Sequence, residues 1–348
     1  MLSRVANNLY WMSRYIERTE NTARLVDASQ QLLLDSRRDD DADPARHWRP
    51  VLDCTGDEGL FESIHSSFDT ASVTDYLVFD QKNPNAILSS VIQARENART
   101  VRDQLTSELW ESINRLYLFA TSREAPELLR SSPADFFQEI KTIALLIQSL
   151  TDATVVRNEG WNFIQAGRYL ERADQTSRLL DVRHASAAVT AGAGDDEGLS
   201  QEDLLGWSAV LRSCSAWDAY KAQNGSEVHP EHVVSLLILD ADFPRSMRFC
   251  VQHLNTALRR MSGVPDGRFS NEAEKLCGRL LAELQFCAGS DLYSKGLHES
   301  IDELQAKLGE IGHALFQTYI AQHFALPDGD ELRQQEEQQQ QAPELCEP

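Results

Sequence analysis

Long apolar runs are missing from this chain. The greasiest segment, VVSLLIL at residues 233–239, is far too short to span a bilayer. MLSRVANNLYWM at the start has no basic region followed by an apolar stretch of the secretory kind. Cations are scarce as well: 33 Lys and Arg stand against 54 Asp and Glu, for a formal net charge of −21. Nucleic acid and anionic membrane surfaces both need clustered Lys and Arg, so neither is expected as a partner. Part of the acidity is local, because residues 327–348 hold seven acids and one Arg, which leaves the rest nearer −15. The six cysteines (Cys54, Cys214, Cys250, Cys277, Cys287 and Cys346) include no C-x-x-C pair and no disulfide-framework spacing. They read as small buried apolar residues of a cytoplasmic protein.

Motifs for chemistry are scarce too. A glycine-rich phosphate loop, a G-x-S-x-G elbow and an EF-hand are all lacking. In HPEH, His229 and His232 stand three apart with no third ligand motif nearby, and a helix start accounts for them better than a metal. His298, His313 and His323 are spaced so that they share no helix face well. Neither a cofactor nor a metal is therefore expected. Alternating β-branched runs between glycine-rich turns, the mark of strands, are essentially absent.

What remains is helix. The chain's 348 residues, 42% apolar and 25% charged, are enough for two ordinary domains or one large two-lobed unit. Behind Ser3 as N-cap, Val5, Leu9, Met12, Ile16, Thr19, Ala23, Val26 and Leu33 form a packing seam over the first 35 residues. RRDDDADPAR at 37–46 breaks that helix. A second long helix is expected over 84–119, where breakers are almost absent, and further helices over 133–155, 158–183, 201–221, 231–239, 244–261, 271–287 and 297–324. Asn83-Pro84 and Phe243-Pro244 read as helix starts with proline in the first turn, capped by Asp80 and Asp240. The segment 187–203 reads as a flexible loop, and the Gln-rich acidic tail 326–348 as disordered. The fold class is all-α.

Within this pattern one stretch occurs twice. RYIERTENTARLVD at 14–27 and RYLERADQTSRLLD at 168–181 are identical at eight of fourteen positions, mostly polar ones, at an offset of 154. Two further blocks recur in order. Trp48, Val51 and Leu52 match Trp207, Val210 and Leu211 at an offset of 159; LVFD at 77–80 before Pro84 matches LILD at 237–240 before Pro244 at 160. The expected organisation is two related helical halves, 1–155 and 156–325, packed about a pseudo-twofold axis.

The repeated polar residues are the candidate site. Arg14, Glu17, Asn21 and Arg24 share a narrow face, as do Arg168, Glu171, Gln175 and Arg178. Arg18 and Arg172 flank these stripes, with Tyr15 and Tyr169 beside them. Each stripe falls roughly opposite the apolar seam, with Glu17 in reach of Arg14 and Asn21 along its own helix, and Glu171 placed likewise. Three readings follow: a solvated face laced with weak pairs, a buried clasp between the halves, or an arginine-lined cleft for carboxylate or phosphate. A general-base role for Glu17 or Glu171 has little support, because a neighbouring Arg lowers a carboxylate's pKa.

YWMSRYIERTENTAR, ARENARTVRDQLTSELWESIN and GWNFIQAGRYLERADQTSRLLD together resemble the bacterial alpha-E domain family, over essentially the whole chain up to about residue 325. The resemblance implies an all-helical fold with its Glu-Arg motif at Glu17-Arg18 and Glu171-Arg172. It also implies a neighbourhood. Family members are typically encoded beside, or fused to, circularly permuted ATP-grasp ligase-like proteins, often near transglutaminase-like peptidases. The expectation is a helical subunit of a peptide or amide ligase system without independent catalysis, which holds an anionic peptide or metabolite, or docks the ligase, through its stripes. The alternatives are a purely structural clasp between the lobes and an enzyme that uses Glu17 or Glu171 as general base.

Overall fold

The computed structural model describes residues 1–36, 44–56, 58–191, 201–265 and 267–321. Sixteen α-helices and no strand occur among them. In chain order these are α1 (Ser3–Ser36), α2 (Pro44–Thr55), α3 (Glu58–Ile64), α4 (Thr70–Val78), α5 (Ile87–Thr100), α6 (Ser107–Ala120), α7 (Ala125–Ser131) and α8 (Pro133–Thr154). After a short break follow α9 (Glu159–Ala191), α10 (Gln201–Ser213), α11 (Trp217–Asn224), α12 (Pro230–Leu239), α13 (Met247–Ser262), α14 (Glu272–Phe286), α15 (Gly289–Ser294) and α16 (Leu297–Tyr319). None of them is long and apolar enough to cross a membrane.

The two longest helices, α1 and α9, lie against each other at the centre. α1 packs on α5 and α8, and α9 on α13 and α16; α6 joins α5 to α8, and α14 joins α13 to α16 in the same order. The short helices cross over, α2 resting mainly on α9 and α10 mainly on α1. The recurring sequence blocks are core: Trp48, Val51 and Leu52 of α2 and Trp207, Val210 and Leu211 of α10 are all buried. Because neighbours surround α1, it is buried over far more of its circumference than one seam. Ser13, Glu17, Glu20, Asn21 and Asp27 lie inside along with Leu9, Met12 and Ile16.

A glycine sets how closely the central helices approach. A Cβ at Gly167 would lie 2.3 Å from the Tyr10 carbonyl oxygen of α1 and 3.3 Å from Ser13 Cβ, so any side chain there forces the helices apart. The Glu-Arg pairs follow within two turns of this approach on both helices, and the close crossing brings each within reach of the other.

Several boundaries differ from the sequence reading. The long helix expected over 84–119 is two helices. The backbone leaves α5 at Val101, makes a 3-10 turn at Arg102–Gln104, and re-enters at α6, capped by Thr106 Oγ1, which accepts from Leu109 N–H. No proline or glycine marks this break; a threonine cap does. Asp80 and Asp240 do not cap α5 and α13. Their carboxylates accept turn amides, from Lys82 and from Asp242 and Phe243 respectively. Pro84 and Pro244 therefore stand in the turns before the helices, and Ser246 caps α13. Of the stretch 187–203, residues 187–191 continue α9 and 201–203 open α10. The rest of it, together with 37–43 and the tail from 322 on, lies outside the described residues. His229 is the N-cap position of α12, with Pro230 in its first turn, as a helix start requires.

The candidate functional site: two exchanged Glu-Arg pairs

The two Glu-Arg motifs exchange partners. Glu17 of α1 takes a two-pronged contact from Arg172 of α9, with Nε to Oε1 at 2.6 Å and Nη2 to Oε2 at 2.9 Å. Glu171 of α9 takes the same contact from Arg18 of α1, with Nε to Oε1 at 2.7 Å and Nη2 to Oε2 at 3.2 Å. A planar guanidinium laid fork-to-fork on a carboxylate is the strongest form of this pair, and lysine cannot reproduce it. Both carboxylates are buried. Tyr15 and Tyr169 flank the pairs alike, with the Arg18 guanidinium 5.6 Å from the Tyr15 ring and Arg172 5.7 Å from Tyr169.

Further partners complete each centre. Arg14 Nε donates to Glu171 Oε2 at 2.7 Å, its Nη1 reaches the Tyr10 hydroxyl, and Gln175 Nε2 lies 3.5 Å from Glu171 Oε1. Arg18 Nη1 also donates to Asn85 Oδ1 at 2.9 Å. Around Glu17 the set is larger. Gln148 of α8 donates to Glu17 at 3.0 Å and to Glu20 at 2.6 Å, while its own carbonyl oxygen accepts from Arg172. Arg245, in the turn before α13, donates to Glu20 and to Asn21 Oδ1, and Arg24 Nε reaches Glu20 Oε1 at 2.8 Å. Arg168 pairs with Asp152 of α8 at 2.9 Å and also donates to the Gln148 main-chain oxygen at 3.3 Å, and Arg178 pairs with Asp174 on its own helix at 2.9 Å.

Twelve residues stood as candidates, and the structure sorts them. Glu17, Arg18, Glu171, Arg172, Arg14, Asn21, Arg24 and Gln175 belong to the two centres. Tyr15 and Tyr169 wall them, and Arg168 and Arg178 are engaged by Asp152 and Asp174. Of the expected contacts along one helix, Gln175 reaches Glu171, but Arg14 serves Glu171, not Glu17, and Arg168 serves Asp152, not Glu171. The true same-helix pairs are Glu20–Arg24 and Asp174–Arg178. They sit at the i,i+4 spacing that favours such contacts, and at matching positions of the repeat. That spacing was the available signal for Glu20 and Asp174. For Gln148, Asp152, Arg245 and Asn85 the only hint was that Asn85 and Arg245 each follow a proline in the recurring block.

Electrostatics fix the charge states. Burial alone would raise the Glu171 carboxyl, but Arg14 and Arg18 outweigh it and hold the pKa down at about 2. Glu20 is lowered for the same reason, with Arg245, Arg24 and Arg172 overcoming its burial. Burial also pushes the Tyr10 hydroxyl up, so it stays protonated beside Arg14. The space beside Glu17, walled in part by Ser13, Gln148, Ile164 and Arg168, amounts to about 10 Å³, room for one water at most.

These features define an all-helical protein whose two central helices are joined by reciprocal, buried Glu-Arg pairs. The Alpha-E family, described as a predicted alpha-helical domain with a conserved ER motif, matches residues 1–320, and the chain belongs to it. It is also similar to uncharacterised proteins of Mycobacterium bovis and Mycobacterium tuberculosis, at 23% identity over 94% of the chain. The chain spans only 37% of the length of those relatives. No solved structure matches it.

Proposed function

We propose that this chain is a helical subunit, without chemistry of its own, of a cytoplasmic ATP-grasp-type peptide or amide ligase system. Its Glu-Arg motifs act as a clasp between two related halves, and its outer faces meet the ligase. The observation that carries the clasp is the exchange itself: each motif glutamate is buried and held by the arginine of the other motif. Removing one member of a buried pair leaves an uncompensated charge and costs about 3–5 kcal/mol. That cost explains why the same polar residues persist in both copies of a repeat that has otherwise diverged. The recurring neighbours of α1 and α9 support the reading of two duplicated halves.

A role in binding an anionic peptide through the stripes is less well supported. The cations that would have to receive it are already engaged by Glu17, Glu20, Glu171, Asp152 and Asp174, and the space beside Glu17 is water-sized. A general-base role for Glu171 meets a carboxylate held down at about 2, too weak a base for work near neutral pH. The ligase partnership, and with it a transglutaminase-like peptidase, rests on the family resemblance. A helical unit that matches 37% of longer relatives fits a module working beside other domains.

Affinity isolation of the tagged full chain from its own cells tests the partnership. An ATP-grasp ligase-like protein is expected to co-purify in stoichiometric amount. Recovery of the chain without a ligase would end the proposal, whatever becomes of the clasp.

A further inference from the structure

The two repeats end on the same residue, Asp27 in the first and Asp181 in the second. Both carboxylates reach across to the neighbouring helix. Asp27 Oδ2 accepts from Lys141 Nζ of α8 at 2.7 Å, and Asp181 Oδ1 meets His298 Nδ1 of α16 at 2.6 Å. The chemical consequences differ. A lysine ammonium has no lone pair to offer, so the first contact is a closed ion pair. An imidazole held by one nitrogen still presents the other. His298 Nε2 lies 3.6 Å from Asp302 Oδ2, one turn further along α16.

This arrangement suits a metal ion. An ion with tetrahedral bonds of roughly 2.0–2.1 Å to nitrogen and oxygen separates its ligand atoms by about 3.3 Å, close to the His298–Asp302 spacing. A carboxylate on the opposite ring nitrogen is how metal-binding histidines are held in one tautomer and orientation, and Asp181 is so placed. Ligand atoms of Asp181, His298 and Asp302 all lie within 4.8 Å of one another. His184 stands three residues after Asp181, on the same face of α9. At the positions matching Asp181 and His184, the first repeat has Asp27 and Gln30, and Gln30 is bonded to Thr74. Of the two copies, the second has an imidazole on the shared aspartate where the first has a lysine. His298 and Asp302 are more than half exposed, so an ion can reach them from solvent.

We propose that His298 Nε2 and Asp302, with Asp181 holding the imidazole through Nδ1 and His184 on the same face of α9, form a site for a divalent transition-metal ion of the zinc type where α9 meets α16. Imidazole with carboxylate favours zinc, nickel or copper over magnesium or calcium, which prefer all-oxygen sites. The site is remote from the Glu-Arg centres in role and independent of the ligase partnership.

Calorimetric titration of the metal-free full-length chain with zinc, and separately with magnesium, tests it. One zinc ion per chain is expected, with no magnesium uptake at the same concentrations. His298→Ala and Asp302→Asn should each weaken zinc binding by roughly 10-fold or more, with the circular dichroism spectrum unchanged because both side chains are at the surface. Cobalt supplies a second readout: its visible d–d absorption should appear with the parent chain and be lost with His298→Ala. Absence of zinc uptake, or uptake that His298→Ala leaves unaltered, would overturn the assignment.

Discussion

The centre around Glu17 and the centre around Glu171 share one pairing scheme but differ in how far they are sealed. At Glu17, α8 supplies Gln148, whose amide bridges Glu17, Glu20 and Arg172, and Arg245 closes the other side. At Glu171, Asn85 stands where the recurring block has Arg245, and α16 sets Gly312 against Leu170 and the Tyr10 hydroxyl. The outcome is visible in the arginines. Arg172 keeps 8% of its side-chain surface exposed, and its counterpart Arg18 keeps 17%. One centre is thus closed and the other partly open to water. Water screens a charge that loses its partner, so the same substitution should cost more at the closed centre.

The largest effect expected is at Glu17. Glu17→Ala strands Arg172 in a buried setting and should cost about 3–5 kcal/mol, measured by urea unfolding, with Glu171→Ala costing less because Arg14 and Arg18 can rehydrate. Equal losses would erase the distinction between the centres. Acid comes next. The Glu171 pKa lies near 2 in the folded chain against an ordinary 4.5, so its contribution is fully present above about 4.5 and is lost as pH falls toward 2. Glu171→Gln should flatten that part of the profile of melting temperature against pH. An unchanged acid limb would mean that Glu171 is not the group responsible.

Gly167→Ala should then cost roughly 1–3 kcal/mol, because the new methyl meets a backbone carbonyl of α1 that can move only with its helix. A neutral result would show that the crossing has slack. The smallest effect belongs to Arg178→Ala. It removes a partly exposed i,i+4 partner of Asp174 and should change stability by only a few tenths of a kcal/mol.

The all-helical class, the order of the recurring blocks and the importance of the Glu-Arg positions could be read from residue types alone. Their identities repeat, and Trp48, Leu52, Trp207 and Leu211 are core in both places. The direction of each pairing could not. An apolar seam implies one buried face, but α1 and α9 have neighbours on nearly all sides, so a stripe placed opposite the seam is inside as well. Whether Arg14 serves Glu17 or Glu171 depends on how closely the two helices cross, which Gly167 permits and no helical periodicity encodes. The break at Val101–Thr106 was hidden for a similar reason. A threonine cap ends and restarts a helix without proline or glycine, and ARTVRDQLTSEL reads as continuous helix by propensity. The α9–α16 donor cluster was invisible because Asp181 and His298 are 117 residues apart.

In the exchanged clasp Glu17 binds Arg172 across the helix interface more strongly than its sequence neighbour Arg18. A double-mutant cycle on folding stability, with Glu17→Gln and Arg172→Gln singly and together and a parallel cycle of Glu17→Gln with Arg18→Gln, measures this directly. Coupling of about 1–3 kcal/mol in the first cycle, clearly exceeding the second, is the predicted result. Additive losses for Glu17 and Arg172, or larger coupling between Glu17 and Arg18, would contradict the exchanged clasp.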